Sequence, residues 1–401
     1  MRVLFLTHRV PYAPNRGDRL RALHIARSLA ASTDLELVSL AHDRRELEQA
    51  ATLEALGIRV TAIQVPRLAN LVNGALRLAG NRPLTHVLLD APQLTRTLAD
   101  IVQKRPPDVV LAYCSGMARF ALEPTLAAFP LVVDFVDVDS QKWLALSQSA
   151  RWPKRWIFRR EARHLADFER RVADVASATF VVNERERALM LRVAPDSNVG
   201  VMEVGVDREP LWPRTPPEER PRLVFCGVMN YQPNIDGMLW FCRSVWPAVR
   251  AHYPDAHFSI VGSDPAPAIR RLNAPALGIE VTGTVDDVRP HLWASAIAIA
   301  PLQTARGVQT KVLEAVAAGL PAVVTPQVFD GLPRAIHSAC RVGSSPEEYA
   351  AQILALFALP GAVRRRIAED ADIAQLGWEA QLRPLHDALS AATLQTKSIA
   401  V

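Results

Sequence analysis

The sequence predicts an α/β protein made of two doubly wound, Rossmann-like domains facing a central cleft. Three observations lead there. Short, continuously apolar runs alternate with segments of helical period, the pattern of a parallel sheet covered on both faces. The alternation stops near Val199–Val206 and restarts at Leu223. Between the two lies a proline-rich stretch, Pro210, Pro213, Pro216, Pro217 and Pro221, which reads as a linker. A chain of 401 residues is also long for one core.

In the first half, Arg2–Thr7 is a buried strand by its apolar run. The loop His8–Asp18 follows, then a helix over Arg19–Ala31, whose Leu20, Leu23, Ile25, Ala26 and Leu29 form a helical stripe. Leu35–Leu40 is a strand, Arg44–Leu56 a helix and Val60–Val65 a strand. Val109–Tyr113, Leu131–Phe135 and Thr179–Val182 are further buried strands. In the second half, Leu223–Gly227 is a strand, Asp236–Tyr253 a helix, and His257–Val261 and Ile279–Val281 are strands. Ile297–Ala300 and Ala322–Thr325 are expected to complete the second sheet. The domains are therefore 1–205 and 206–375, with ligands expected at the carboxyl ends of the strands.

Composition narrows the function classes. The apolar fraction of 49% is ample for two cores, yet no run of about 18 apolar residues suggests a membrane span. The N-terminal apolar stretch lacks a small-residue cleavage site and reads as a first strand, not a signal peptide. Cys114, Cys226, Cys242 and Cys340 are scattered, which points to a reducing cytoplasm and away from a zinc site. The ten histidines are equally dispersed, so no bound metal is expected. The formal charge of +5 suits an anionic ligand or a membrane surface. No nucleic-acid-binding module is recognisable.

Pro301–Pro326 is the most informative segment. It reads as a glycine-containing loop, a helix over Thr310–Ala318, a stop at Gly319 and a buried strand. Lys311 and the backbone N–H groups lie at the helix N-terminus, where an anion binds well. Glu314, one turn on, can accept hydrogen bonds from two adjacent hydroxyls such as those of a ribose. Phosphate at the helix tip and ribose on Glu314 describe a nucleotide-sugar site. The alternative is an ordinary αβ unit with an exposed Lys–Glu pair.

The segment resembles the nucleotide-sugar signature of the retaining glycosyltransferases of family 4, which have the GT-B fold. Gly307, Lys311, Glu314, Ala315, Ala317, Gly319, Pro321, Val323, Val324 and Thr325 fit it. That family often has a second Glu eight residues before position 314, where this chain has Arg306. Gly307-Val308-Gln309-Thr310-Lys311 is similar to a subfamily loop of the form G-x-Q-x-K. Phe180–Glu186, Val201–Asp207, the run from Phe225 and the strand from Phe258 also resemble family segments. Trp378 resembles the point where the last helices return to the first domain, giving 376–401 as a C-terminal helix and tail. Val132–Trp143 with Arg306–Ala315 further resembles the sugar transferases of PEP-CTERM/XrtA exopolysaccharide systems.

The resemblance implies a metal-independent hexosyltransferase with a nucleoside diphosphate sugar as donor and no cofactor. Its acceptor would be a glycan or a lipid-linked saccharide. Lys311 and Arg306 would offset charge on the leaving diphosphate, with Gly307, Val308, Gln309 and Thr310 around it. The base would lie by Gly283 and Val285. Gly17 would face the diphosphate from the loop Pro14–Asp18, with Arg16 and Asp18 beside it. Arg16, Arg19 and Arg21 would hold phosphate or be solvated helix charges. Asp134, Asp137 and Asp139 end a strand; the family often has a His at the position of Val136. Asp137 would contact the transferred sugar or the acceptor hydroxyl, whereas Asp139 or Ser140 would cap the next helix.

The helix Arg151–Arg171, with Trp152, Trp156 and Phe158, would rest on anionic lipid at the inner membrane face, or pack its apolar side inward while Glu161, Asp167 and Glu169 pair with basic neighbours. A nucleotide-sugar 2-epimerase, or a non-catalytic binding protein, are the alternatives for the chain as a whole.

Overall fold

The computed structural model describes the backbone of residues 1–12, 17–305 and 307–399, and their side chains except 17, 18, 149 and 395–399. The chain divides into two compact units, Met1–Met202 with Leu382–Val401, and Glu203–Gln381.

The first unit holds seven strands: β1 (Arg2–Thr7), β2 (Asp34–Ala41), β3 (Arg59–Gln64), β4 (Val109–Tyr113), β5 (Leu131–Val136), β6 (Ala178–Val181) and β7 (Val199–Val201). All pair in parallel, in the order β3-β2-β1-β4-β5-β6-β7. The second unit has β8 (Arg222–Cys226), β9 (His257–Val261), β10 (Ile279–Gly283), β11 (Ile297–Ala300), β12 (Ala322–Val324) and β13 (Cys340–Val342), also parallel, ordered β10-β9-β8-β11-β12-β13. Both orders reverse once, beside β1 and beside β8, and such a switch point opens a crevice at the carboxyl ends of the strands.

The apolar runs mark these strands because parallel strands are covered on both faces: Val3, Leu4, Phe5 and Leu6 are all buried. Two strands escape the sequence reading. β7 ends the first sheet, where the repeat was expected to stop, and β13 adds a sixth strand to a sheet expected to close at β12. Each is three residues long and interrupted, by Gly200 in one and Arg341 in the other, and so gives no continuous apolar run.

The expected helix Asp236–Tyr253 starts earlier, at Gln232, and is interrupted: Gln232–Trp240 is α, Phe241–Val245 is a π turn and Trp246–His252 is α. Pro247 has no N–H for the carbonyl four residues back, and the wider turn lies just before it. Phe241 from the π turn packs edge-on to Phe258, with centroids 4.9 Å apart, in the second core.

The last helix, Trp378–Ile399, begins in the second unit, where Trp378 lies so close to Gly205 that a Cβ there would meet the indole at 2.5 Å. Within the first unit it buries Leu382, Leu385 and Leu389, and its His386 ring hydrogen-bonds Ser28 Oγ at 2.7 Å.

Candidate functional site

In the second unit, glycines stand at the carboxyl ends of three neighbouring strands: Gly227 after β8, Gly262 after β9 and Gly283 at the end of β10. Gly227 N–H donates to Val261 O at 3.0 Å, and Gly262 N–H to Gly283 O at 3.2 Å. A Cβ on Gly262 would lie 1.7 Å from the Gly227 carbonyl oxygen, so no side chain fits there. Gly283 has φ +72° and open space where a Cβ would be, and Val285 is half-buried in the turn that follows.

The helix Thr310–Ala317 starts beside this floor. Gln309 is its N-cap and places no side-chain hydrogen bond on the first turn. Gly307 reaches the helix through left-handed backbone, φ +61°, and Val308, Gln309 and Thr310 are all half-buried. Arg306 lies outside the described residues.

Lys311 is half-buried and its ammonium is fixed in place. Nζ donates to Asn234 Oδ1 at 2.8 Å and sits 4.4 Å from the centroid of the Phe225 ring. Asn234 is itself oriented by its Nδ2–H, which donates to Val228 O at 2.8 Å. A Cβ on Gly227 would come within 2.9 Å of that amide nitrogen and 3.2 Å of Nζ, so this glycine leaves room for the pair. Burial lowers Lys311 to about 8, against the raising effect of Cys226 and Glu314. Burial raises Glu314 to about 7, with Lys311 pulling it down. The Glu314 carboxylate, as distinct from its carbonyl, has no hydrogen-bond partner among the described residues. A cation, an uncapped helix start and an unused carboxylate thus converge where three strands end in glycine, a geometry fitted to a diphosphate and a diol. Sequence reasoning singled out Lys311 and Glu314 but not Asn234, Gly227 or Gly262, which the structure places beside Lys311 or on the glycine floor. Asn234 belongs to no spacing pattern, and its role appears only when the helix Gln232–Trp240 folds back over β8.

The first unit concentrates strain at the ends of β4 and β5. Cys114 and Val136 both have left-handed backbone, φ +69° and +66°. For a β-branched residue this is an outlier of the kind that gathers at functional sites. Asp137 N–H donates to Phe135 O at 2.8 Å across Val136, while Val182 N–H donates to Val136 O at 2.8 Å and Val138 N–H to Glu186 Oε2 at 2.9 Å. The turn presents Asp137 with Oδ1 buried and without a hydrogen-bond partner. Burial, then Glu186 and Asp139, push its carboxyl up to about 6.

The neighbouring carboxylates have other duties. Asp134 is fully buried and accepts from Arg21 Nε at 2.8 Å and Nη2 at 3.2 Å, and from Val136 N–H at 3.1 Å. Asp139 accepts from Ser115 Oγ at 2.9 Å. Neither Asp139 nor Ser140 is the cap expected of it: the helix is Asp139–Ser149, its N-cap is Val138, and Asp139 sits in the first turn, where a negative charge favours the helix dipole. Arg19 pairs with Glu46 and donates to Tyr12 Oη at 2.7 Å, so Arg19 and Arg21 are internal ion-pair members and not solvated charges. Gly17 opens the helix Gly17–Ser32. Arg16 and the side chain of Asp18 lie outside the described residues.

The basic helix is Lys154–Val175, and it packs inward through Ala162, Leu165, Phe168 and Val172. Two of its acids pair with basic neighbours as expected, Glu161 with Arg160 at 3.6 Å and Asp167 with Arg170 at 3.1 Å, whereas Glu169 does not. Glu169 accepts from Ser140 N–H at 3.0 Å, and Glu161 also accepts from the N–H groups of Leu84 and Thr85 at 2.7 and 2.8 Å.

Residues 220–358 match the model of the family described as Glycosyl transferases group 1. None of the curated proteins matches the chain. Among solved structures, HepE of Anabaena in complex with UDP is similar with a TM-score of 0.68 at 15% identity, over 98% of this chain and 100% of that one. A glycosyltransferase from Rickettsia africae gives 0.67 at 13% identity, over 98% of each chain. A variant of S. aureus TarM, in complex with UDP and glycan ligands, gives 0.67 at 9%, over 97% and 99%. At these identities the likeness establishes the fold, which is GT-B. With the family match in the second unit, it supports a glycosyltransferase.

Proposed function

We propose that the protein is a retaining glycosyltransferase of family 4 type. It moves a sugar from a nucleoside diphosphate donor to a hydroxyl of a polysaccharide or lipid-linked acceptor in exopolysaccharide synthesis, within a gene system of the PEP-CTERM/XrtA kind. The observation that carries this reading is the fixed Lys311 ammonium beside the free Glu314 carboxylate at an uncapped helix start. During transfer the bond from the anomeric carbon to the diphosphate breaks and charge gathers on the departing oxygens. Lys311, the first-turn N–H groups and Arg306 oppose that charge where water is largely excluded. Glu314 takes the ribose hydroxyls, and the base rests by Gly283 and Val285. Gly17 gives the diphosphate close access to backbone.

Asp137, ionised above about pH 6, accepts a hydrogen bond from the sugar or from the attacking hydroxyl. The cationic set serves in place of a metal, so turnover is expected to survive EDTA. Among the described residues no group of three or more His, Cys, Asp or Glu is arranged to hold a metal ion. A lipid-linked acceptor would place the enzyme on the cytoplasmic face of the membrane. No described helix is long and apolar enough to cross one.

HepE was also solved with UDP-glucose, which makes UDP-sugars the first donors to test. The experiment is donor hydrolysis by purified protein. Slow release of nucleoside diphosphate supports the transferase, an epimerised sugar would support an epimerase, and neither product would leave a binding protein.

A further inference from the structure

The helix Arg67–Leu76 in the first unit is inverted. Its buried positions are Asn70 and Gly74, and its large apolar side chains point outward. Asn70 Nδ2 donates to Leu88 O at 3.1 Å and Asp90 O at 2.8 Å, which pins the polar side to the protein. Leu68 is 82% exposed, Leu71 58%, Val72 61% and Leu76 78%. At about 3.6 residues per turn these four share one face, opposite Asn70 and Gly74. Leaving four such side chains in water is costly, and contiguous apolar exposure of this kind marks a contact surface.

The helix Lys154–Val175 is bonded to the segment that follows Leu76. Arg160 Nη2 donates to the carbonyls of Gly80 and Arg82, the latter at 2.9 Å, and Glu161 holds the N–H groups of Leu84 and Thr85. The chain that leaves Leu76 is thereby tied to the second turn of the basic helix. Just before that turn stand Trp152, 83% exposed, and Trp156, 49% exposed, among the exposed Arg151, Lys154, Arg155 and Arg159.

The charge on this surface has one sign. Residues 67–82 contain Arg67, Arg77 and Arg82 and no acid, and residues 151–160 contain five basic residues and no acid. Two of these cations are paired with nearby acids, Arg82 with Asp90 and the buried Arg160 with Glu161, which leaves Arg67, Arg77, Arg151, Lys154, Arg155 and Arg159 as exposed charge. Exposed leucine and tryptophan set among cations only is the signature of a face that lies in the headgroup layer of an anionic bilayer.

We propose that the outward face of Arg67–Leu76, together with Trp152 and Trp156, docks the enzyme on an anionic lipid surface. The Arg67–Leu76 helix inserts its leucines and the basic tip of the second helix supplies charge. This goes beyond the transferase reading and can fail or hold separately, because vesicle binding requires no nucleotide sugar.

The test is flotation of the full chain with vesicles containing phosphatidylglycerol and with vesicles of phosphatidylcholine alone. Binding to the first is expected, falling with salt, and at least about tenfold weaker binding to the second. Leu71→Asp with Leu76→Asp should lower partitioning by about tenfold or more, and each of Arg67→Gln and Arg77→Gln by about fivefold. These side chains are exposed, so the thermal midpoint should not move, and a variant that melts with the parent yet no longer floats supports the proposal. Equal binding to both vesicle types, no binding to either, or variants that float like the parent would overturn it. Sedimentation that finds a dimer split by Leu71→Asp would assign the face to a second copy instead.

Discussion

Lys311 and Asn234 are joined by a 2.8 Å hydrogen bond from Nζ to Oδ1, and the amide is locked in turn by Val228 O. A flexible lysine is thus given one position, held between the Phe225 ring and the floor at Gly227. Asn234 does not need to touch a ligand to matter, because it decides where the charge stands.

Asn234→Ala should therefore weaken nucleoside diphosphate binding by about 1–2 kcal/mol, less than the roughly 1.5–3 kcal/mol of a direct hydrogen bond to a charged group, because the amide acts through Lys311. Lys311→Met should cost more. The double variant should be no weaker than Lys311→Met alone, since the amide acts through the lysine. Calorimetric titration with UDP measures all three, and fully additive losses would separate Asn234 from Lys311.

Donor affinity should peak between about pH 7 and about pH 8. Lys311 titrates near 8 in the free protein, so its charge, and with it the pull on a diphosphate, is lost as pH rises through that value. Glu314 titrates near 7, so its ionised, hydrogen-bond-accepting form is lost as pH falls through that value. Glu314→Gln should remove the acidic limb. Glu314→Ala should weaken binding by about 1–3 kcal/mol, the cost of an unmade bond to a charged group. A flat affinity profile for the parent from about pH 6 to about pH 9 would exclude both residues from the site.

Asp137→Asn should stabilise the fold while lowering turnover. Asp137 is held near 6 in the folded protein against 3.8 when unfolded, so between those values the folded form keeps a proton that the unfolded form has lost. Stability accordingly falls as pH rises across that window, and the penalty is complete above it. Removing the charge should recover about 1–3 kcal/mol near pH 8, visible as a higher melting midpoint that is absent near pH 4. A purely structural aspartate would not lose stability by being charged; one kept charged at a cost fits a role in transfer. A variant as active as the parent would release Asp137 from the mechanism.

Much of this was legible in the sequence because parallel strands are buried on both faces and therefore read as apolar runs. β1, β4, β9 and β11 fall where their runs lie. Lys311 and Glu314 were legible because one helix carries both, three residues apart. The illegible parts depend on tertiary neighbours. Gly262 looks like any turn glycine until β9 is set beside β8 and the Gly227 carbonyl occupies the place of its Cβ. Asp134 and Asp137 look equivalent in Val132–Trp143, yet it is Asp134 that takes the hydrogen bonds of Arg21, 113 residues away from it in the chain. The strain at Val136 depends on bonds from Val182 and Glu186, and no local pattern announces it.

The last prediction concerns Arg306, where family 4 enzymes often carry a glutamate. The residue directly precedes Gly307 in the sequence, and the helix Thr310–Ala317 begins soon after. If its guanidinium assists Lys311 at the diphosphate, restoring the carboxylate will not restore a more typical enzyme. Arg306→Glu would set a negative charge near a dianionic group in a site of lowered dielectric, where like charges repel strongly. Arg306→Ala would merely remove a cation. Nucleoside diphosphate release should therefore fall for both variants, and further for Arg306→Glu than for Arg306→Ala. The gap between them should narrow as salt is raised, because screening weakens a charge effect and leaves a packing effect unchanged. Parent-like rates for both would make Arg306 a surface residue, and a glutamate variant as fast as the parent would end its assignment to the diphosphate.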